Sequence, residues 1–362
     1  VSRKDRRHRI GRGKVRRLDA DLIRSLLTTP GISGREERIR EVVAKALEQL
    51  VDEVKTDRLG NLVGVRRGRT PRVMLCAHMD SIGFLVSHID DEGYLRISPV
   101  GGFDARTLVM QRVLVAGRSD YTGLLAPATK PIHLLKKEER EQVPKLEDFF
   151  VDLMLPADEV KDNVSVGDPV TLLRDPLVTD RAVTAPYLDD RLGVYVLLET
   201  LRRMEDSAAE IYGVVSVQEE VGLRGAATSA FGLEPDVGVA LDITIATDLP
   251  GADKRHPGCS VGGGPAVGVM DSSSISDPRL VRRFKSVAEE QDIPLQLEVS
   301  LGGGTDAGAM QLAKSGVPVI TISTPVRYVH TVNEMALVSD IDATVDLMVG
   351  FLDSASELQL EW

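Results

Sequence analysis

A helical pattern starts at Leu18-Asp19-Ala20-Asp21-Leu22-Ile23 and stops at Thr29-Pro30-Gly31. Ser33 stands three residues before Glu36, the spacing of a capping box, and predicts a helix over about 34–50. Its apolar stripe is Ile39, Val42, Val43, Ala46, Leu47 and Leu50. Strands are predicted at about 52–56 and 61–66. Val73-Met74-Leu75-Cys76-Ala77 is apolar throughout, the pattern of a strand covered on both faces.

The texture changes after Gly83. Residues 84–180 read as short strands at Phe84–Ile89, Tyr94–Ser98, Val109–Ala116, Phe149–Leu153 and Pro169–Leu173. Turn residues such as Asp90-Asp91-Glu92-Gly93, Gly101-Gly102 and Gly167-Asp168-Pro169 separate them, and only Ala157–Lys161 has helical period. This predicts a small β domain or barrel. From Ala185 onward helices and strands alternate. Helices are predicted at Asp189–Met204, Leu223–Phe231, Pro278–Gln291, Thr305–Ser315 and about 338–356. Strands are predicted at Ile211–Val217, Val237–Ile243, Leu295–Ser300 and Val317–Ser323. Such alternation predicts a three-layer α/β/α domain with a mixed, largely parallel sheet. It comprises residues 18–83 and 181–362, with the β-barrel-like domain 84–180 inserted.

Composition narrows the class. With 43% hydrophobic residues in 362, the chain can bury a core without staples. No apolar run approaches the roughly 18 residues of a membrane span. No apolar segment follows the basic start, so no secretory signal is expected. Two cysteines, Cys76 and Cys259, exclude a disulfide framework and a multi-cysteine zinc site, and a reducing, cytoplasmic setting is expected. Nine of the 44 Lys/Arg fall in residues 1–17 against one acid, Asp5, leaving 35 basic and 54 acidic residues elsewhere, a net of −19. An acidic body argues against nucleic acid as its ligand. The basic segment 1–17 is expected to be a disordered leader; binding to nucleic acid, to a membrane surface or to the acidic body itself are its other readings.

Six short sites place acids or histidines at predicted strand ends: His78-Met79-Asp80, Asp189-Asp190, Glu219-Glu220, Asp242, Gly302-Gly303-Gly304-Thr305-Asp306, and His330. Singly each has a bland alternative: Asp189 as a helix cap, Glu219-Glu220 as solvated charge, the glycine run as a tight turn. Together they converge on the carboxyl edge of a parallel sheet, where open α/β folds bind ligands. Carboxylates packed together repel, and a cation is the usual resolution. Imidazole with carboxylate suits zinc, cobalt or manganese. Two metals bridged by one carboxylate use about five ligands, the number available. His8, His88, His133 and His256 fall in the leader, the insertion or a loop, and Cys76 reads as a small buried residue.

Together these motifs resemble the tetrahedral (TET) aminopeptidase family, which includes glutamyl and deblocking aminopeptidases and relatives labelled endoglucanase. The matching stretches are Ala77-His78-Met79-Asp80-Ser81-Ile82-Gly83-Phe84, Leu188-Asp189-Asp190-Arg191-Leu192-Gly193 and Gln218-Glu219-Glu220-Val221-Gly222-Leu223-Arg224-Gly225-Ala226. Ala240-Leu241-Asp242-Ile243-Thr244, Gly303-Gly304-Thr305-Asp306-Ala307 and Arg327-Tyr328-Val329-His330-Thr331 follow in the same order. The insertion matches through Gly101-Gly102-Phe103-Asp104 and Pro131-Ile132-His133-Leu134-Leu135. The resemblance implies a metal-dependent aminopeptidase with two divalent ions per subunit, zinc or cobalt. His78 and Asp242 would hold one ion, Glu220 and His330 the other, with Asp189 bridging. Glu219 would be the general base, and Asp80 would orient His78. It also implies dimers formed through the inserted domain, a dodecamer built from them, and peptide substrates. Ser81 replaces a common acid and Asp190 a common Asn; neither position is a ligand. The rival readings are a related metal-dependent deacylase and a non-catalytic oligomeric shell.

Overall fold

Two helices come first: α1 (Ala20–Thr28), capped by Asp19, and α2 (Glu37–Leu47). The computed structural model describes residues 16–360 apart from 131, 206 and 253–257. The expectations for residues 1–15, His8 among them, and for His256 lie outside the described residues. Arg16 and Arg17 are described, and both touch the acidic body: Arg16 reaches Asp346 at 3.0 Å and Arg17 reaches Asp180 at 3.7 Å. The predicted capping box is not formed. Ser33 donates its hydroxyl to Asp80 at 2.6 Å instead, Glu36 accepts the Gly34 N–H at 2.6 Å, and α2 starts three residues later than expected.

Strands β1 (Glu53–Thr56), β2 (Leu62–Arg66) and β3 (Arg69–His78) follow. The chain then leaves the sheet for β4 (Gly83–Ile89), β5 (Leu95–Val100), β6 (Gln111–Ala116), β7 (Asp120–Pro127), β8 (Phe149–Asp152), α3 (Ala157–Asn163) and β9 (Pro169–Leu172). These six strands close into a barrel in the order β4-β5-β8-β7-β6-β9 around Phe84, Val86, Leu95, Val113, Phe149 and Val170. Strand β7, which the sequence pattern missed, completes it. Its partners β6 and β8 would otherwise both be edges.

The return path is β10 (Leu177–Val178), β11 (Ala182–Ala185), α4 (Leu188–Arg203), β12 (Ala209–Ser216), α5 (Arg224–Leu233) and β13 (Val237–Ile245). After these come β14 (Ala266–Met270), α6 (Pro278–Gln291), β15 (Gln296–Val299), α7 (Asp306–Gln311), β16 (Val319–Val326), β17 (Glu334–Leu337) and α8 (Val338–Asp353). The main sheet has eight strands in the order β1-β2-β12-β3-β13-β16-β14-β15. The central four, β12, β3, β13 and β16, are mutually parallel, while β2 and β14 flank them antiparallel.

Alternation along β3 explains the layers. Val73, Leu75 and Ala77 pack with α1, α2, α4, α6 and α8 on one face. Met74 and Cys76 pack with α5 and α7 on the other. The fold is therefore a three-layer α/β/α domain carrying an inserted barrel. Buried Arg191 ties α4 to the turn after α1 by donating to the carbonyls of Leu26 at 2.7 Å, Thr29 at 3.1 Å and Gly31 at 3.3 Å. Gly31 in turn accepts the Ser81 N–H at 3.0 Å, which fixes the chain just beyond β3.

Candidate metal centre

The carboxyl ends of the parallel strands meet here. His78 is the last residue of β3, Asp242 lies near the end of β13, and Glu219-Glu220 follow β12. His330 lies four residues past β16. Asp189 and Asp190 precede the regular part of α4, with backbone angles outside the helical region. All five expected ligands and Glu219 line one cavity of about 450 Å³. Of the other sites in the sequence, Gly302–Gly304 and Thr305 also line it. Asp306 is buried behind it, bonded to Ser216 at 2.5 Å and Cys76 at 3.1 Å.

Asp189 sits between two imidazoles. Its Oδ1 is 3.2 Å from His78 Nε2, and its Oδ2 is 3.3 Å from His330 Nε2. His330 Nε2 is also 3.7 Å from Glu220, and His78 Nε2 is 3.8 Å from Glu219. Two groups of three donors close to within 4.8 Å: His78, Asp189 and Glu220, and His78, Glu219 and Asp242. Asp80 lies behind His78. Its carboxylate is 3.6 Å from Nδ1 and its own carbonyl is 3.1 Å from the same nitrogen. The Asp80 carboxylate also accepts the Glu219 N–H at 3.0 Å and the Glu220 N–H at 3.3 Å. One buried acid thus lies against the imidazole and anchors the backbone of both glutamates.

Electrostatics fit a cation at this place. Burial, reinforced by Asp189, pushes the Asp242 carboxyl well above its usual value and that of Glu220 up to about 8. Burial also raises Glu219 strongly, with Asp242 adding to it against the pull of His78. For Asp189, burial is outweighed by hydrogen bonds to His330 and His78, and its carboxyl is lowered. Burial works against charging His330, yet Asp189 and Glu220 bring it to about 9. The buried Oε1 of Glu220 has no hydrogen-bond partner, and no Lys or Arg lines the cavity among the described residues. Hard and borderline donors crowded with no Lys or Arg among the described lining residues match the demands of divalent metal.

Glu334 was missed by sequence reasoning. Its Oε2 accepts the Asp189 N–H at 3.0 Å and its Oε1 the His330 N–H at 2.7 Å, so one side chain fixes the backbone of two expected ligands. Its only sequence signal is an acid opening the short strand Glu334-Met335-Ala336-Leu337 just after His330. Asp190 caps the regular part of α4 through Gly193 N at 2.9 Å and accepts the His78 N–H at 3.2 Å. Ser81 donates to the Gly31 carbonyl at 3.2 Å. Tyr187, Gln218, Tyr328 and His330 all have left-handed φ, from 56 to 67°. Such conformations cost about 1–3 kcal/mol each and cluster at functional sites. The barrel adds a wall: a Cβ at Gly101, where φ is +83°, would stand 3.5 Å from Glu220 Oε2, and one at Gly102 3.6 Å from His330 Nδ1.

Known proteins share this arrangement of chain. The M42 glutamyl aminopeptidase family pattern matches residues 60–347. The lysyl aminopeptidase of Pyrococcus furiosus is 35% identical over 347 residues, covering 93% of this chain and 97% of that one. An aminopeptidase from the archaeon Desulfurococcus kamchatkensis superposes with a TM-score of 0.87 at 38% identity, covering 92% and 94% of the two chains. The Pyrococcus horikoshii TET1 peptidase, which can assemble into a tetrahedron or a large octahedral shell, superposes with a TM-score of 0.82 at 30% identity over 92% and 98%. Sheet, inserted barrel and acid–imidazole cluster thus agree with sequence similarity along nearly the whole chain: it belongs to the M42 glutamyl aminopeptidase family of metal-dependent peptide hydrolases.

Proposed function

We propose that this chain removes the N-terminal residue of peptides at a dinuclear centre of zinc or cobalt. His78 and Asp242 would hold one ion, Glu220 and His330 the other, and Asp189 both. The observation that carries this reading is Asp189 itself, whose two oxygens face two different imidazoles at 3.2 and 3.3 Å. Bound there, two divalent ions would supply Lewis acidity toward the scissile carbonyl and toward the attacking water. Glu219 takes the proton of that water and returns it to the leaving amine. Without metal, burial raises its carboxyl; cations bound beside it would favour the ionised form that a base needs. Asp80 orients His78 and, with Glu334, fixes the backbone that carries Asp189, Glu219, Glu220 and His330.

Assembly follows the same reading. The chain forms dimers through the inserted domain, residues 84–180, and the dimers build a dodecamer. Exposed Met110, Met154 and Val166 on that domain supply apolar surface for the contact.

The test is hydrolysis of aminoacyl-p-nitroanilides after chelation and after zinc or cobalt is restored. Activity is expected to disappear and return. The pH dependence has a definite sign. In chelated protein at pH 7, Glu220 (about 8) and His330 (about 9) each hold a proton that ligation must displace. The free-metal concentration needed for half-restoration therefore falls as pH rises from 7 to 9. Activity indifferent to chelation would sink the proposal.

A further inference from the structure

The cavity holds two acids that the expected ligands and base leave unused, Asp271 and Glu298. Asp271 is taken up by its own turn, accepting Ser273 N at 2.6 Å and Ser274 N at 2.7 Å. Glu298 is different. It lies on edge strand β15 with both carboxylate oxygens 2.7 Å from Thr244 Oγ1. A hydroxyl carries a single proton, so it satisfies only one of those oxygens. Among the described residues, no Lys or Arg pairs with Glu298. Burial, with Asp271 adding to it, raises its carboxyl.

Position links this acid to the reaction site. Thr244 follows Asp242 by two residues on β13, so both side chains lie on the same sheet face, about 6.6 Å apart along the strand. Ile243, Ile245, Met270 and Val329 also line the cavity and give it apolar surface. A long aliphatic stem ending in a cation suits such a space: the stem covers apolar surface and the charge meets the acid. A carboxylate side chain would meet a like charge there, with no Lys or Arg among the described lining residues to offset it.

We infer that this part of the cavity receives the side chain of the substrate's N-terminal residue, and that Glu298 selects a cationic one, lysine or arginine. This rests on the aminopeptidase reading, and the experiment separates the two. Lysine p-nitroanilide is compared with norleucine p-nitroanilide, which keeps the stem and lacks the ammonium. In parallel, calorimetry measures binding of lysinamide and norleucinamide, a readout that needs no turnover. The lysine compound is expected to be favoured at least tenfold in kcat/KM and in affinity. In Glu298→Gln that ratio is expected to collapse toward one, and in Glu298→Asp to recover in part. A wild-type ratio near one, or a preference for norleucine or glutamate anilides, overturns the inference without any variant. A tenfold ratio that survives Glu298→Gln overturns the assignment to this residue. Absence of all hydrolysis with the lysinamide preference intact strikes the aminopeptidase reading and upholds the pocket.

Discussion

Glu219→Gln is expected to lower kcat by roughly 10²–10⁴-fold, the contribution typical of a positioned general base, with metal content unchanged. Gln keeps the shape but cannot accept the proton. The metal readout matters because Glu219 also lies within ligand range of His78 and Asp242. A variant that loses activity and metal together would make Glu219 a ligand. A variant with full activity would remove it from the mechanism. Stability gives a second sign. Burial raises the Glu219 carboxyl far above its ordinary value, so between that ordinary value and the raised one the folded protein binds the extra proton and stability falls as pH rises. Gln has no charge to desolvate. The chelated variant is therefore expected to unfold at a higher temperature than chelated wild type at neutral pH, opposite to its effect on activity.

Asp189→Asn is the second large effect. An amide offers one acceptor oxygen where the carboxylate offers two, and it brings no charge. The pairing of Oδ1 with His78 and Oδ2 with His330 is then lost on one side. Metal affinity is expected to fall at least about 100-fold, beyond the range seen for groups behind the ligands, with kcat near background. The backbone should hold, because Glu334 grips the Asp189 N–H and not its side chain. Unchanged metal affinity in a folded variant would contradict the bridging role.

The parts legible in the sequence were those with local signals. Val73–Ala77 is apolar on both faces because helices cover both, and it does form the heart of β3. Asp242 stood out as a carboxylate in an apolar strand, and it lies on the cavity wall. Strand β7 was not legible, because Gly123 and Pro127 break its pattern and its place depends on pairing with β6 and β8. The Ser33-Glu36 spacing read as a cap because local rules could not show that Asp80, 47 residues away, would take the hydroxyl. Glu334 and Glu298 went unseen for the same reason. The first matters through a backbone N–H 145 residues earlier in the chain, the second through a hydroxyl 54 residues earlier. Periodicity reports which face a residue shows; it does not report which distant group that face will meet.

The most direct test of the dinuclear centre is a titration of chelated protein with zinc or cobalt, following p-nitroanilide hydrolysis and bound metal in the same samples. Full activity is expected only when two ions are bound per chain. Full activity at one ion per chain, or activity with none, would contradict it.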